Sequence, residues 1–297
     1  ALEAGSRGRN LTEWQYGLAS ISPRWNVSGT YMQVLPRFVS TDADGNDERE
    51  FLDEFFDSRG ALLDCVFLKG YQWPFDVCKA AGGSSLIDML VYVERCMKGR
   101  RVFLDFTRNA GGGEADFGAL GEEARGYLKK AGALFGTPVD RLIHMNAPAY
   151  EFYRNRGVDL KKEPLEIALC AQHNNGGLAV DCWWQTDVEG LFAAGEAAAT
   201  HGVYRPGGSA LNAGQVGSMR AARYIAARRN GQPDSAGRFA QAAREQMERV
   251  VRTGNMALER ADNAAQLLAE AQRDMSRAGA AIREAAAIAA LANTTKR

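Results

Sequence analysis

The sequence predicts an α/β protein. Three observations carry that prediction: helical and extended patterns alternate over residues 1–145, short apolar runs separated by turn residues dominate about 146–231, and residues 234–297 are Ala-rich and helical in pattern throughout. A chain of 297 residues suits one large domain or two ordinary ones. Lys plus Arg and Asp plus Glu each number 36, so the formal net charge is zero. That excludes a nucleic-acid binder working through bulk positive charge. Hydrophobic residues make up 46% and charged residues 24%, a balance that can bury a core. No apolar run approaches the ~18 residues of a membrane-spanning helix, and the Ala-rich C-terminus is broken by Arg and Glu. The cysteines, Cys65, Cys78, Cys96, Cys170 and Cys182, form no CxxC pair, haem site or iron–sulfur run. Metal ligation is therefore not expected, and a reduced, cytoplasmic setting is. The chain begins with Ala and shows no signal peptide, so the expectation is a processed N-terminus or a portion of something longer.

Taken in order, Asp47 to Phe56 reads as a helix opening on acids. Ser84 to Met97 reads as a second helix, with Ser85 and Asp88 spaced like a capping box and Leu86, Leu90 and Val93 on one face. Arg101 to Phe106 reads as a strand, and a charged amphipathic helix follows over Glu122 to Leu134. Asn146 and Pro148 open a short helix that Gly157 stops. Leu165 to Ala171 is a near-continuous apolar run of buried-strand type, and Leu178 to Trp184 and Leu191 to Ala194 are two shorter strand candidates. A long helix is predicted from Ser209 to Arg229, closed by Gly231. Beyond it, Met247, Val250, Val251, Leu267 and Leu268 fit an amphipathic bundle whose charges form a solvated face, and no chemistry is assigned there.

The chemistry concentrates between residues 173 and 211. Of the three histidines, His144 lies in a short apolar stretch and reads as structural. His173 directly follows a buried strand and precedes Asn174, Asn175, Gly176 and Gly177. In open α/β sheets ligands sit at carboxyl ends of strands, but a histidine hydrogen-bonded in a tight turn fits the pattern equally well. The block Gly190–Leu211 (GLFAAGEAAATHGVYRPGGSAL) says more. Glu196 falls just after a strand end, where a carboxylate suits the hydroxyls of a bound nucleotide. Gly207, Gly208, Ser209 and Ala210 open a helix whose first N–H groups lack intrahelical partners and can face an oxygen-rich ligand. Arg205 stands just before it and offers a fork to a carboxylate or phosphate. The alternative, compatible reading is a small-residue stripe (Ala210, Ala213, Gly214, Gly217) packed against other structure.

In order and spacing these segments resemble the fumarate reductase/succinate dehydrogenase flavoprotein family. The resemblance rests on His-x-x-Gly-Gly (His173 to Gly177), Gly-Leu-Phe-Ala-x-Gly-Glu (Gly190 to Glu196), and His-Gly followed by Arg, glycines and Ser-x-Leu (His201 to Leu211). It is close over roughly 146–231 and weaker outside. Asn10 to Ser20 is similar to the family's entry into its capping domain, with Glu13 and Gln15 in matching places but Tyr16-Gly17-Leu18 where the family often has His-Pro-Thr. The resemblance implies a capping domain over 1–145, the second part of a Rossmann-like FAD-binding domain over 146–233 and a helical segment over 234–297.

It further implies FAD as cofactor, hydride exchange between flavin N5 and a small, unsaturated, carboxylate-bearing substrate, and an electron donor not contained in this chain. His173, His201 and Arg205 would hold the substrate carboxylate, and Glu196, Gly195, Gly207, Gly208, Ser209, Ala210 and Leu211 would hold FAD. Two departures stand out. The family's proton-donating Arg has no counterpart over Ser28 to Gln33, so Tyr204 or Tyr31 would have to donate; a tyrosine is protonated at neutral pH. Tyr31 also reads as a packed residue of the cap. The strand–GxGxxG–helix unit for the pyrophosphate is missing, because the nearest candidate, Gly111-Gly112-Gly113, meets Asp116 where its last glycine should fall. The chain would then be the C-terminal portion of a flavoprotein, competent only with its N-terminal FAD-domain segment. A non-catalytic assembly module keeping the fold, and a flavin oxidase of an amino acid or saturated acid, are the alternatives. Trp183, Trp184, Tyr71, Trp73 and Phe75 would either line a larger substrate pocket or sit as core aromatics.

Overall fold

The structure, a computed structural model, describes residues 1–203, 205, 208–228, 235–259 and 264–294. Its strands are β1 (Gly8–Arg9), β2 (Trp14–Ser20), β3 (Trp25–Asn26), β4 (Arg37–Thr41), β5 (Arg101–Asp105), β6 (Leu165–Asn174) and β7 (Gly177–Leu178). Its helices are α1 (Thr30–Gln33), α2 (Arg59–Leu68), α3 (Ser85–Tyr92), α4 (Glu122–Lys130), α5 (Pro138–Arg154), α6 (Ser209–Arg228), α7 (Ala236–Leu258), α8 (Ala264–Ala278) and α9 (Ala285–Thr294). The mixed helix-and-sheet class is as the sequence predicts. The chain divides into a sheet unit, Glu13–Asn174, and a helical unit made of Ala1–Thr12 and Asn175–Arg297. The predicted change of domain after residue 145 falls inside α5, within the sheet unit.

The sheet unit is an antiparallel five-stranded sheet in the order β3-β2-β6-β5-β4. Apolar residues at the buried positions of these strands meet α1, α3 and α5, so that Leu18, Met32, Ile87, Leu104, Leu142 and Ile167 are wholly buried in one core. Helix α2 is capped by Ser58, whose hydroxyl accepts from the Ala61 N–H at 3.2 Å. The N–H and hydroxyl of Thr137 both donate to the Asp140 carboxylate, at 2.9 and 2.7 Å, and Pro138 takes the first helical position, which starts α5 eight residues before the predicted Asn146. Asn146 and Pro148 mark a kink inside α5, where Asn146 departs to φ −156° and ψ 71°.

The structure corrects several element predictions. Asp47 to Phe56 is not a helix: Asp47 sits at φ 53° and only Asp53–Phe55 makes a 3₁₀ turn. The acids there are drawn to cations instead, Glu48 and Glu50 each accepting from Arg37 at 2.7 Å and Asp47 pairing with Arg49 and Arg100. Ser85 and Asp88 form no capping box, because wholly buried Asp88 accepts from the equally buried Lys69 ammonium at 2.7 Å. The helix continues past Tyr92 as a π-turn over Val93–Met97. Leu178 to Trp184 and Leu191 to Ala194 are turns rather than strands beyond the two residues of β7; an isolated bridge between Gln185 and Phe192 and the Ala193 N–H donating to the Trp184 carbonyl at 3.1 Å join them. Asp181 causes this, its carboxylate accepting from the Trp183 and Gln185 N–H groups at 2.8 and 3.0 Å. The predicted end of the long helix at Arg229 and its closure at Gly231 lie outside the described residues. In the C-terminal helices Met247, Val250, Val251, Leu267 and Leu268 are 54–67% exposed, so the apolar faces exist without the packed bundle. No described helix is long and apolar enough to cross a membrane.

Lys69 also donates to the carbonyls of Gln72 and Trp73, at 3.1 and 2.7 Å, and so closes the loop after α2. That loop lays Trp73 on β2, with the indole N–H donating to the Leu18 carbonyl at 3.0 Å. A Cβ on Gly17 would fall 2.4 Å from the Trp73 ring. Gly17→Ala is therefore expected to destabilise the protein by about 1–3 kcal/mol through overpacking, read as a lower urea midpoint at unchanged slope.

Candidate functional site

His173 is the next-to-last residue of β6 and lies opposite Gln15 of β2, one step beyond an irregularity between Gln15 and Tyr16. Gln15 and Tyr16 are buried and His173 is half-buried. The chain leaves the sheet unit one residue later, at Asn174. The Gly-Gly pair that follows meets a packing need in the helical unit. A Cβ at Gly176 would lie 1.9 Å from the Asn10 carbonyl oxygen, and one at Gly177 would lie 2.4 Å from that of Ala197. Buried Asn175 adds a tether, its amide donating to the Val203 carbonyl at 3.2 Å. The sequence carried no signal for that tether.

In the helical unit the chain turns at Gly195 (φ 67°) into a 3₁₀ turn over Gly195–Ala197 that packs on α6 and leaves Glu196 exposed. His201 is buried and Arg205 half-buried. Gly208 at φ 79° leads into α6, whose first residues are Ser209, Ala210 and an 81% exposed Leu211. A Cβ on Gly195 or Gly208 would meet nothing within 4 Å, so open space fronts both glycines. The small-residue stripe is used as well: a Cβ on Gly214 would touch the Gly195 Cα at 3.4 Å, and one on Gly217 would strike the Trp184 indole at 2.3 Å.

The predicted site residues thus fall in two groups. Gly195, Glu196, His201, Arg205, Gly208, Ser209, Ala210 and Leu211 share the helical unit, whereas His173 and Tyr31 belong to the sheet unit. Tyr204 and Gly207 lie outside the described residues. Tyr31 does not suit proton donation. It lies in α1, buried against Tyr153, and its hydroxyl donates to the Ala149 carbonyl at 2.8 Å. Burial, together with Tyr153, pushes its pKa far above the ordinary tyrosine value. His144 bonds the Ala131 carbonyl at 3.0 Å and packs edge-on to Phe135, a structural role. Trp183 stacks with Tyr224 under the Arg220 guanidinium, and Tyr71 bonds Glu123, so neither marks a described cavity. Among the described residues no group of His, Cys, Asp and Glu is arranged to hold a metal ion.

Residues 93–211 match the family profile of an FAD binding domain. The chain is 38% identical over 104 residues to one of the subunits of the fumarate reductase (CoM/CoB) of Methanothermobacter marburgensis, which covers 34% of this chain and 19% of that protein. It is 34% identical over 143 residues to the L-aspartate oxidase of Mycobacterium leprae, covering 48% of this chain and 24% of that one. Over these stretches the chain is similar to the fumarate reductase/succinate dehydrogenase flavoproteins and their aspartate oxidase relatives. Its fold agrees with two solved members: a quinol–fumarate reductase with menaquinol (TM-score 0.55, 18% identity, 95% of this chain and 44% of that one) and Mycobacterium smegmatis Sdh1 in complex with UQ1 (TM-score 0.57, 20% identity, 100% and 42%). The chain therefore spans less than half of the solved flavoprotein chains, and its matched stretches about a fifth to a quarter of the two named relatives.

FAD is the cofactor of this family. The helical unit fits part of it: open space before Gly195 and Gly208, the first-turn N–H groups of a 20-residue helix, and an exposed carboxylate at Glu196. The loop at Gly111 does not fit the pyrophosphate. Its N–H is already given to both Glu50 oxygens at 3.0 Å, and a carboxylate there repels phosphate.

Within the helical unit the N-terminal residues are tied to the later part of the chain by Arg7, which donates from its guanidinium to Asp187 at 2.8 and 2.9 Å and from its N–H at 3.2 Å. These hydrogen bonds hold the Asp187 carboxyl at about 2, below the ordinary 3.8. The folded value lies below the unfolded one, so the tie is fully present above pH ~4 and is lost as pH falls toward ~2. Asp187→Asn is expected to lower the melting temperature near neutrality, with a difference from wild type that shrinks to nothing in acid.

Proposed function

We propose that this chain forms the substrate-facing and flavin-ring part of an FAD-dependent oxidoreductase acting on a small carboxylate-bearing, unsaturated acid. The observation that carries the reading is the placing of Glu196, His201, Arg205 and the open start of α6 in one unit and within the stretch that matches the FAD binding domain. Bound FAD would supply the hydride acceptor or donor at flavin N5. Arg205 offers a planar fork to one substrate carboxylate, and His201 of the same unit adds a donor that fixes its orientation. A carboxylate clamped in this way draws electron density from the adjacent C=C and favours hydride arrival there. The first N–H groups of α6, beside Gly208 and Ser209, favour negative charge in front of them. Glu196 would accept from hydroxyls of the cofactor's sugar or ribityl chain. With Tyr31 committed to the core, Tyr204 is the hydroxyl left for proton delivery. The two relatives, a fumarate reductase and an L-aspartate oxidase, are both named for four-carbon dicarboxylates, which supports a small diacid as substrate.

The pyrophosphate of FAD needs a glycine-rich turn that these 297 residues do not contain. Purified with a polypeptide that supplies a strand–GxGxxG–helix unit, the chain is expected to carry yellow flavin. Glu196→Gln should weaken FAD binding by about tenfold, the loss of one hydrogen bond to a charged group. Arg205→Lys should retain flavin yet lower kcat/KM for a diacid by roughly a hundredfold. A colourless complex would overturn the reading and leave an assembly module. Reoxidation by oxygen after anaerobic bleaching with L-aspartate would identify an oxidase, and reoxidation by fumarate a reductase.

A further inference from the structure

A cavity of about 280 Å³ in the sheet unit lies between α2 and the loop at 109–119, lined by none of the candidate flavin or substrate residues; Arg59 is on its wall. Arg141 of α5 lies at its edge, wholly buried. Its guanidinium donates to the carbonyls of Val34 (3.0 and 3.1 Å), Phe135 (2.9 Å) and Gly136 (2.7 Å) and to the Asn109 side-chain oxygen (3.0 Å). Every one of these acceptors is neutral. The neighbouring Asp140 is spent on Thr137. Burial draws the Arg141 guanidinium down to about 10, so it remains a cation at neutral pH with no carboxylate bonded to it. A charge desolvated in this way projects its field into the adjoining space more strongly than a surface charge does.

The facing loop is pinned at one point and unpaired at the next. Gly111 is fixed by its N–H bonds to Glu50, and a Cβ there would strike the Arg59 guanidinium at 1.8 Å. The Gly112 N–H closes a turn onto the Asn109 carbonyl at 3.0 Å. Among the described residues, the N–H groups of Gly113, Glu114 and Ala115 then donate to no protein acceptor. Leu35 and Leu63 supply apolar wall. The volume lies just under the roughly 300 Å³ at which drug-sized pockets begin, which selects a small ligand. We propose that this cavity binds a short-chain aliphatic monocarboxylate, with its carboxylate on the N–H groups of Gly113 to Ala115 in the field of Arg141 and its alkyl chain against Leu35 and Leu63.

The rim supplies a test of sign. Asp116 is engaged by the N–H groups of Gly118 and Ala119 at 2.9 and 3.2 Å, whereas Glu114 is exposed and makes no ion pair among the described residues. An anionic ligand must approach against Glu114. The experiment titrates the full chain, labelled with ¹⁵N-glycine, with butyrate and with butylamine at low ionic strength, the Gly113 amide being assigned through Gly113→Ala. That substitution is tolerated because a Cβ there meets nothing within 4 Å. Butyrate is expected to move the Gly113 resonance saturably. Glu114→Gln should tighten butyrate by about two- to fivefold, the size of one partly screened charge interaction. Ala115→Phe, which fills the mouth, should weaken it by roughly tenfold or more at unchanged circular dichroism. The proposal is overturned if butyrate gives no saturable shift, if butylamine binds as tightly as butyrate, or if Glu114→Gln leaves butyrate binding unchanged. None of these outcomes depends on flavin, so the proposal and the flavin reading fail separately.

Discussion

The pairing of β2 with β6 is the constraint on which the sheet unit depends. It runs antiparallel from Trp14 opposite Asn174 to Ser20 opposite Ile167, and it brings the two termini of this unit, Glu13 and Asn174, together at one end of these two strands. Slipping that register by one residue would turn Leu18 and Ile167 out of the core and put other side chains where Gln15 and His173 stand. The pairing is held from above as well. Trp73 lies on Gly17, the Phe75 N–H donates to the Tyr16 carbonyl at 2.8 Å, and the buried Lys69–Asp88 pair fixes the loop that carries both aromatics. A side chain at the end of a strand is only as well placed as that strand, and for His173 the placement rests on packing around a glycine.

The interior of the sheet unit contains three cations with different solutions to burial. Arg37 is shared among Glu48, Glu50 and Asp105, Lys69 has one buried acid and two carbonyls, and Arg141 has neutral acceptors only. The first two balance charge locally, so they stabilise a geometry without projecting a field. Arg141 gives all its hydrogen bonds to neutral acceptors and feels the Asp140 carboxylate only through space, so no carboxylate is bonded to it. In the helical unit the corresponding resource is the backbone itself, the first turn of α6 behind two glycines fronted by open space.

Much of the arrangement was legible in the residues. The buried strand at Leu165, the helix from Ser209 and the order His173, Glu196, Arg205 follow from apolar runs, glycine placement and spacing, all of which are local signals. Elements failed where a distant partner claimed the side chains. Glu48 and Glu50 read as the start of a helix until Arg37 holds them, and Asp88 reads as a cap until Lys69 is buried beside it. Tyr31 read first as packing and second as an acid, and the Ala149 carbonyl and the Tyr153 ring hold it as packing.

By itself the sequence determined the mixed class, the elements that depend on periodicity, and the likeness to the FAD binding domain, because these are written in neighbouring residues and in the order of short motifs. Tertiary structure alone decided the division at Thr12 and Asn174, the need for glycine at positions 17, 176 and 177, and the neutral hydrogen-bond acceptors around Arg141. Each of those depends on atoms brought close from far along the chain, and no local pattern records which carbonyl, ring or carboxylate will arrive there.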